Sequence, residues 1–238
     1  MRQNARYNHI EADYKSVILD NSRDDEILRA AVQSGNELDQ FVIDNQGQFD
    51  FATSDFEHTV LVGLDYKYGV KSSTFGRKSL GYEVWNNLNR YTGLSDLPAK
   101  STNDHSTSWQ AGLYAQDQVQ YDKLDVTFGL RHDWAGSETD NYLKSKTTSQ
   151  EDQALSGRIG AVYSFDNGIA PFASYSTSFE PKVGTDQNGK SYDPVTGQQI
   201  EAGVRYAPDD GRLMVTASVY QLTQQNIDRK STRLNSSH

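Results

Sequence analysis

The sequence predicts an all-β protein, a run of antiparallel strands forming part of a transmembrane β-barrel wall. Three observations carry this. First, several segments alternate strictly between apolar and polar residues, and a period of two puts the two sets on opposite faces of a strand. In Gln198–Tyr206 the residues Ile200, Ala202, Val204 and Tyr206 take one face, and Gln199, Glu201, Gly203 and Arg205 take the other. An apolar outside around a wet, charged inside is the arrangement of a membrane barrel. Second, long polar stretches alternate with turns of about three to five residues, as long extracellular loops and short periplasmic turns do. A soluble β-sandwich usually has short loops at both ends. Third, the chain contains no run of about 18 apolar residues, so no helix is available to cross a bilayer.

Composition agrees. The chain has 238 residues, a formal net charge of −9 and a mean hydropathy of −0.75. The acidic balance argues against nucleic-acid binding through a general basic surface. With no cysteine, neither a disulfide nor a thiolate metal site is possible. Low hydropathy does not oppose a barrel, because only every second strand residue meets lipid. The opening MRQNARYNHI lacks the apolar stretch of a signal peptide, so the chain is expected to start inside the barrel.

Taken in order, Arg2–Val17 is read as a strand and the polar Ile18–Asn36 as a loop. Within that loop, DDEILRAAVQ suits a short helix or the start of the next strand. Glu37–Ala52 is a strand, Thr53–Asp55 a tight turn favoured by Ser and Asp side chains, and Phe56–Gly69 a strand with Val60, Val62, Leu64, Tyr66 and Tyr68 on one face. Val70–Ser106 is expected to be a long loop, and a loop of that length is usually functional. Thr107–Gln120 is a strand, Tyr121–Lys123 a turn, and Leu124–Trp134 a strand with Leu124, Val126, Phe128 and Leu130 opposite Asp125, Thr127, Gly129 and Arg131. Gly136–Asp152 is expected to be a loop. Gln153–Phe165 follows as a strand, with Leu155, Ile159, Ala161, Tyr163 and Phe165 on one face. Asp166–Gly168 is a hairpin turn, its Asn-Gly pair supplying positive φ. Ile169–Phe179, Gln198–Tyr206 and Arg212–Gln225 complete about nine strands, with a loop over Glu180–Gly197 and a turn over Ala207–Gly211. The apolar faces of the last strand and of its neighbours, including Leu213, Val215, Ala217 and Val219, are expected to form one continuous surface.

Several runs in this order resemble the barrel of TonB-dependent siderophore receptors, above all the ferrichrome (hydroxamate) iron receptors. They are RQNARY, FATSDFEHTVLVGLDY, GLYAQDQ, GLRHDWA, YSFDNGIAPFASYSTSFEP and QQIEAGVRY. The resemblance implies a barrel of about 22 strands in the Gram-negative outer membrane, of which residues 1–227 are a part. It implies TonB-energised uptake of ferric siderophores of the hydroxamate type. The implied partners are that ligand, outer-membrane lipid, and the TonB system acting through a plug domain missing from this chain. A passive porin-like barrel and an outer-membrane enzyme barrel are the rival readings. The tail Asp228–His238, DRKSTRLNSSH, can be encoded codon for codon by a common sequencing-library adapter, and is expected to be read-through outside the fold.

Candidate site residues follow partly from chemistry. No nucleophile–His–acid spacing, G-x-S-x-G or P-loop is present, so no enzyme is expected, and no cofactor. The five histidines, His9, His58, His105, His132 and His238, show no metal-ligand spacing along the chain, so no metal site is expected. Asp186–Gly189 departs from a calcium loop in its glycine register and lacks the closing Glu, so a turn is expected. Phe75, Tyr82, Trp85 and Tyr91 lie together in one expected loop. Ferric hydroxamates present apolar surface and carbonyl oxygens, and aromatic side chains offer a flat face with, for Tyr and Trp, one donor. Phe75-Gly76 resembles a Phe-Gly pair that supplies a ligand contact in ferrichrome receptors. Ile18 and Asp20 fall where that family has two ligand-contacting tyrosines, so Tyr14 is a candidate for the aromatic role and the hydroxamate need not be ferrichrome. Glu180-Pro181, Glu201 and Arg205 are expected to be structural, the charges pairing with each other or with a plug.

Overall fold

The computed structural model describes residues 1–84, 97–183, 191–208 and 213–227. Nine strands form one antiparallel sheet in sequence order: β1 (Arg2–Arg23), β2 (Glu26–Thr53), β3 (Phe56–Val84), β4 (Lys100–Tyr121), β5 (Leu124–Asn141), β6 (Lys146–Tyr163), β7 (Ile169–Glu180), β8 (Val195–Tyr206) and β9 (Val215–Gln225). Each strand pairs with its sequence neighbour, so β1 and β9 are the edges. The tail Asp228–His238, Asp186–Gly189 and residues 209–212 lie outside the described residues.

The expected faces hold. Val62 pairs with Ala115, which pairs with Leu130; Val60 pairs with Asp117, then Phe128, Ile159, Tyr175 and Ile200. Val215, Ala217 and Val219 continue that face opposite Tyr206, Val204 and Ala202. Directly paired residues share a face, so one apolar surface runs across the sheet. It is not covered by a second sheet. Leu64, Leu113, Leu130 and Leu155 stay 52–66 % exposed, whereas a sandwich would bury them. The buried apolar residues among those described are small and few: Ile27, Ala30, Ala31, Val32, Ala135 and Ala170.

The strand ends differ most from expectation at three places, and shift by two or three residues at Tyr163, Val195 and Val215. Ile18–Asn36 is not a loop: β1 runs on to Arg23, a tight turn at Asp24-Asp25 follows, and β2 starts at Glu26, so DDEILRAAVQ forms strand, not helix. Val70–Ser106 is not one loop, because β3 continues to Val84 and β4 begins at Lys100. Gly136–Asp152 is not a loop: β5 runs on to Asn141 and β6 begins at Lys146, so only the short stretch between them forms the hairpin tip. The physical reason is common to all three. Beyond the bilayer both faces of a sheet meet water, so the apolar stripe disappears while the backbone ladder continues. Positive φ falls at Asp24 and Ser145 in two of these tips and at Ser54 and Asp122 in the tight turns at the opposite ends of the strands, residues whose short polar side chains ease the left-handed region. β6 and β7 part early. Their ladder stops at Arg158–Ser176, and the Thr177 hydroxyl oxygen takes the next N–H, that of Gly157, at 2.9 Å.

Candidate functional site

The polar face of the sheet gathers the chemistry. Reading across the register, Tyr14 pairs with Ser34, Ser34 with Phe75, and Phe75 with Thr102. Tyr14 and Phe75 therefore share one face in one cross-strand row, two strand spacings or about 10 Å apart. Both rings are open, 53 % and 40 % exposed. The next row down holds Ala12, Asn36, Ser73, Asp104 and Asn141. Asn36 donates to the Ser34 hydroxyl at 3.1 Å, and Asn141 donates to Asp104 at 2.6 Å. Burial pushes the Asp104 carboxyl above its ordinary value, and the Asn141 hydrogen bond pulls it part of the way back. The arrangement offers two aromatic faces flanked by hydroxyls, amides and one carboxyl.

Beyond Phe75 on the same face lies Arg77, which pairs with Asp20. Asp20 occupies the bulge between Leu19 and Asn21 in the β1–β2 ladder. A bulge residue is free of the ladder and can be re-aimed, here toward β3. Ile18 pairs with Ala30. Ile18 and Asp20 thus carry an aliphatic group and half of an ion pair.

Other expected site residues separate. Tyr82 lies in β3 opposite Leu28, seven residues or roughly 23 Å of strand from Phe75. Its ring face is covered by Arg23, whose guanidinium carbon is 4.2 Å from the ring centre. Arg23 is in turn held by Glu26 at 2.9 Å. Tyr82 therefore braces the hairpin tip, and both it and Phe75 stand on a strand rather than in the expected loop. Trp85 and Tyr91 lie outside the described residues.

Below the aromatic row the polar face is locked by charge. Arg131 donates to Asp65 at 2.5 and 3.0 Å and to Asp133 at 2.7–3.0 Å. Gln110 also donates to Asp133 at 2.9 Å, and the Tyr114 hydroxyl donates to Asp44 at 2.8 Å. Two glycines make room: a Cβ on Gly112 would lie 1.9 Å from Arg131 Nη2, and one on Gly63 would lie 2.3 Å from the Tyr114 hydroxyl. Glu201 receives a bond from Gln199 at 3.4 Å. Sequence reasoning placed Arg131 on the right face. It did not find Ser34, Asp104 or Arg77 as neighbours of Phe75, because only the register brings them there.

The comparisons agree with the fold. A family model for the β-barrel of TonB-dependent receptor-like proteins matches residues 1–231. The ferrichrome outer membrane transporter/phage receptor of Escherichia coli K12 is 36 % identical over 210 residues, covering 84 % of this chain and 28 % of that one. The ferrioxamine receptor of Yersinia enterocolitica is 31 % identical over 244 residues, covering 97 % and 34 %. Among solved structures, the ferric preacinetobactin receptor of Acinetobacter baumannii superposes with a TM-score of 0.72 at 16 % identity, covering 92 % of this chain and 34 % of that one. The chain spans about a third of the length of these relatives.

Proposed function

The chain belongs to the family of TonB-dependent receptor-like β-barrels, and on that footing we propose that it is the wall segment of a receptor taking up ferric hydroxamate siderophores across the outer membrane. The apolar face then meets lipid, and the polar face lines the lumen. The observation that carries the ligand reading is the row Tyr14–Ser34–Phe75 on the lumen side, with both rings open to solvent. The relatives named for ferrichrome and ferrioxamine support the hydroxamate class.

The residues suit that ligand. A ferric hydroxamate turns an apolar shell and its chelating oxygens outward. Phe75 and Tyr14 supply flat apolar contacts, and the Tyr14 hydroxyl adds a donor. Uptake in the whole receptor then proceeds from capture at the extracellular mouth to a plug rearrangement powered through TonB. This chain contributes the capture wall and the fixed lumen charges. Trp85 and Tyr91 remain candidate contacts of the same mouth, whereas Tyr82, under Arg23, is assigned to the hairpin tip.

The test is ligand titration of the full-length receptor by quenching of intrinsic fluorescence. Phe75→Ala should weaken ferric hydroxamate binding by about 2 kcal/mol, the loss of a good aromatic anchor, or roughly thirtyfold. Ferrichrome, several ferrioxamines and an unrelated ferric catecholate are compared. Unchanged affinity in a folded Phe75→Ala receptor removes Phe75 from the site. Preference for the catecholate overturns the hydroxamate assignment and leaves the transport reading standing.

A further inference from the structure

The lipid-side face carries a cluster that ligand capture does not use. His9, Glu37 and Asp39 each offer a ligand atom, and these atoms lie within 4.8 Å of one another. The β1–β2 register makes His9 and Asp39 direct cross-strand partners, and Glu37 follows on the same face of β2. His9 Nδ1 is 2.9 Å from Asp39 Oδ1, and the Tyr7 hydroxyl donates to that oxygen at 2.5 Å. Glu11 stands directly opposite Glu37. Like charges so placed are destabilising without a counter-charge, and the group on which both carboxylates act is the His9 imidazole.

Position adds a second argument. The row next to His9–Asp39 toward the membrane is Tyr7–Phe41–Tyr68–Trp109. An outward aromatic row of this kind marks the interfacial girdle of a membrane barrel. The cluster therefore sits just outside the hydrocarbon, at the level of the headgroups. An anionic leaflet attracts divalent counter-ions there and would repel uncompensated carboxylates.

We propose that His9, Glu37 and Asp39 bind one divalent first-row transition-metal ion, with zinc as the reference ion, pinning the β1–β2 hairpin where it leaves the membrane. An imidazole nitrogen with two carboxylates suits zinc and its neighbours, whereas magnesium and calcium prefer oxygen alone. The ion replaces the proton shared between His9 Nδ1 and Asp39, and that proton leaves to solvent. Donors at about 2.0 Å from zinc stand about 3.3 Å apart on a tetrahedron, so the three side chains need only close in from their present spread. Tyr7 acts on the site through Asp39 by fixing the orientation of its carboxylate. The fourth position is open to water or a headgroup phosphate oxygen. Distance along the chain hides the set, since His9 and Asp39 are 30 residues apart.

The experiment is equilibrium dialysis of the full-length receptor, stripped with chelator and held in detergent, against zinc chloride, with metal content measured. The wild type should take up one zinc, retained in a large excess of magnesium. His9→Gln and Glu37→Gln should each bind it at least about tenfold more weakly. Both side chains lie on the solvent-accessible lipid-side face, and heat-modifiable migration on a gel verifies that each variant is folded. Absence of the extra zinc in the wild type overturns the proposal. So does its full retention in both variants, or its displacement by equimolar magnesium.

Discussion

At the scale of single residues, the charges of the polar face account for a glycine in a strand that would otherwise favour a larger residue. Gly112 has no side chain because Arg131 lies over it, and Arg131 lies there because Asp65 and Asp133 hold it from two directions. Asp133 is 2 % exposed, so its charge depends on those partners. Removing one partner of a buried pair leaves an uncompensated charge. Arg131→Met should therefore destabilise the full receptor by about 3 kcal/mol, the low end for buried pairs because Arg131 is partly solvated. Asp65→Asn, which leaves Asp133 paired, should cost less. Urea titration in lipid vesicles measures both, and an Arg131→Met receptor as stable as wild type would contradict this role. The network also fixes the wall below the Tyr14–Phe75 row, so a change in Arg131 that altered ligand affinity would act through that wall.

At the scale of an element, β5 tests the assignment of faces. Leu130 and Thr127 lie on opposite sides of the same strand, above the turn at Asp122-Lys123. Leu130 is 62 % exposed on the side assigned to lipid. A cation placed near the bilayer midplane on the lipid face costs about 2–4 kcal/mol, whereas lumen substitutions are tolerated. Leu130→Arg should lower folding stability in vesicles by that amount, and Thr127→Arg should change it by less than about 1 kcal/mol. The opposite ranking would invert the barrel. β5 also extends to Asn141, well past the expected end at Trp134, and that added length pairs with β4 to place Asn141 against Asp104.

At the scale of the whole molecule, nine strands in sequence order make a wall with two free edges, β1 and β9. Lipid cannot satisfy the unpaired backbone groups of an edge. Expressed alone and added to vesicles, this chain should give no heat-modifiable, protease-resistant species, whereas the full-length receptor should. A resistant band from the chain alone would mean that these strands close on themselves. The Tyr14–Phe75 row lies near one edge of this wall, since Tyr14 stands on β1, so the proposed ligand role is tested on the intact receptor.

The sequence by itself determined the strands wherever lipid imposes a period. Leu124–Trp134, Phe56–Gly69 and Ile169–Phe179 all fall inside observed strands, and the apolar sets of the first two, from Leu124 to Leu130 and from Val60 to Tyr68, share the expected face. It also determined the class, because alternation with Glu, Arg and Gly on the second face has few other uses. Only the tertiary structure decided how far β1 to β6 continue past the membrane, since sheet edges wetted on both faces leave no hydrophobic signature. It alone decided that Tyr14 shares a row with Phe75 while Tyr82 does not, and that His9 meets Asp39. Those neighbours are set by backbone hydrogen bonds between strands distant in sequence, where a single bulge at Asp20 re-aims a side chain. Hydrophobic periodicity is local to one strand, and register is a property of two.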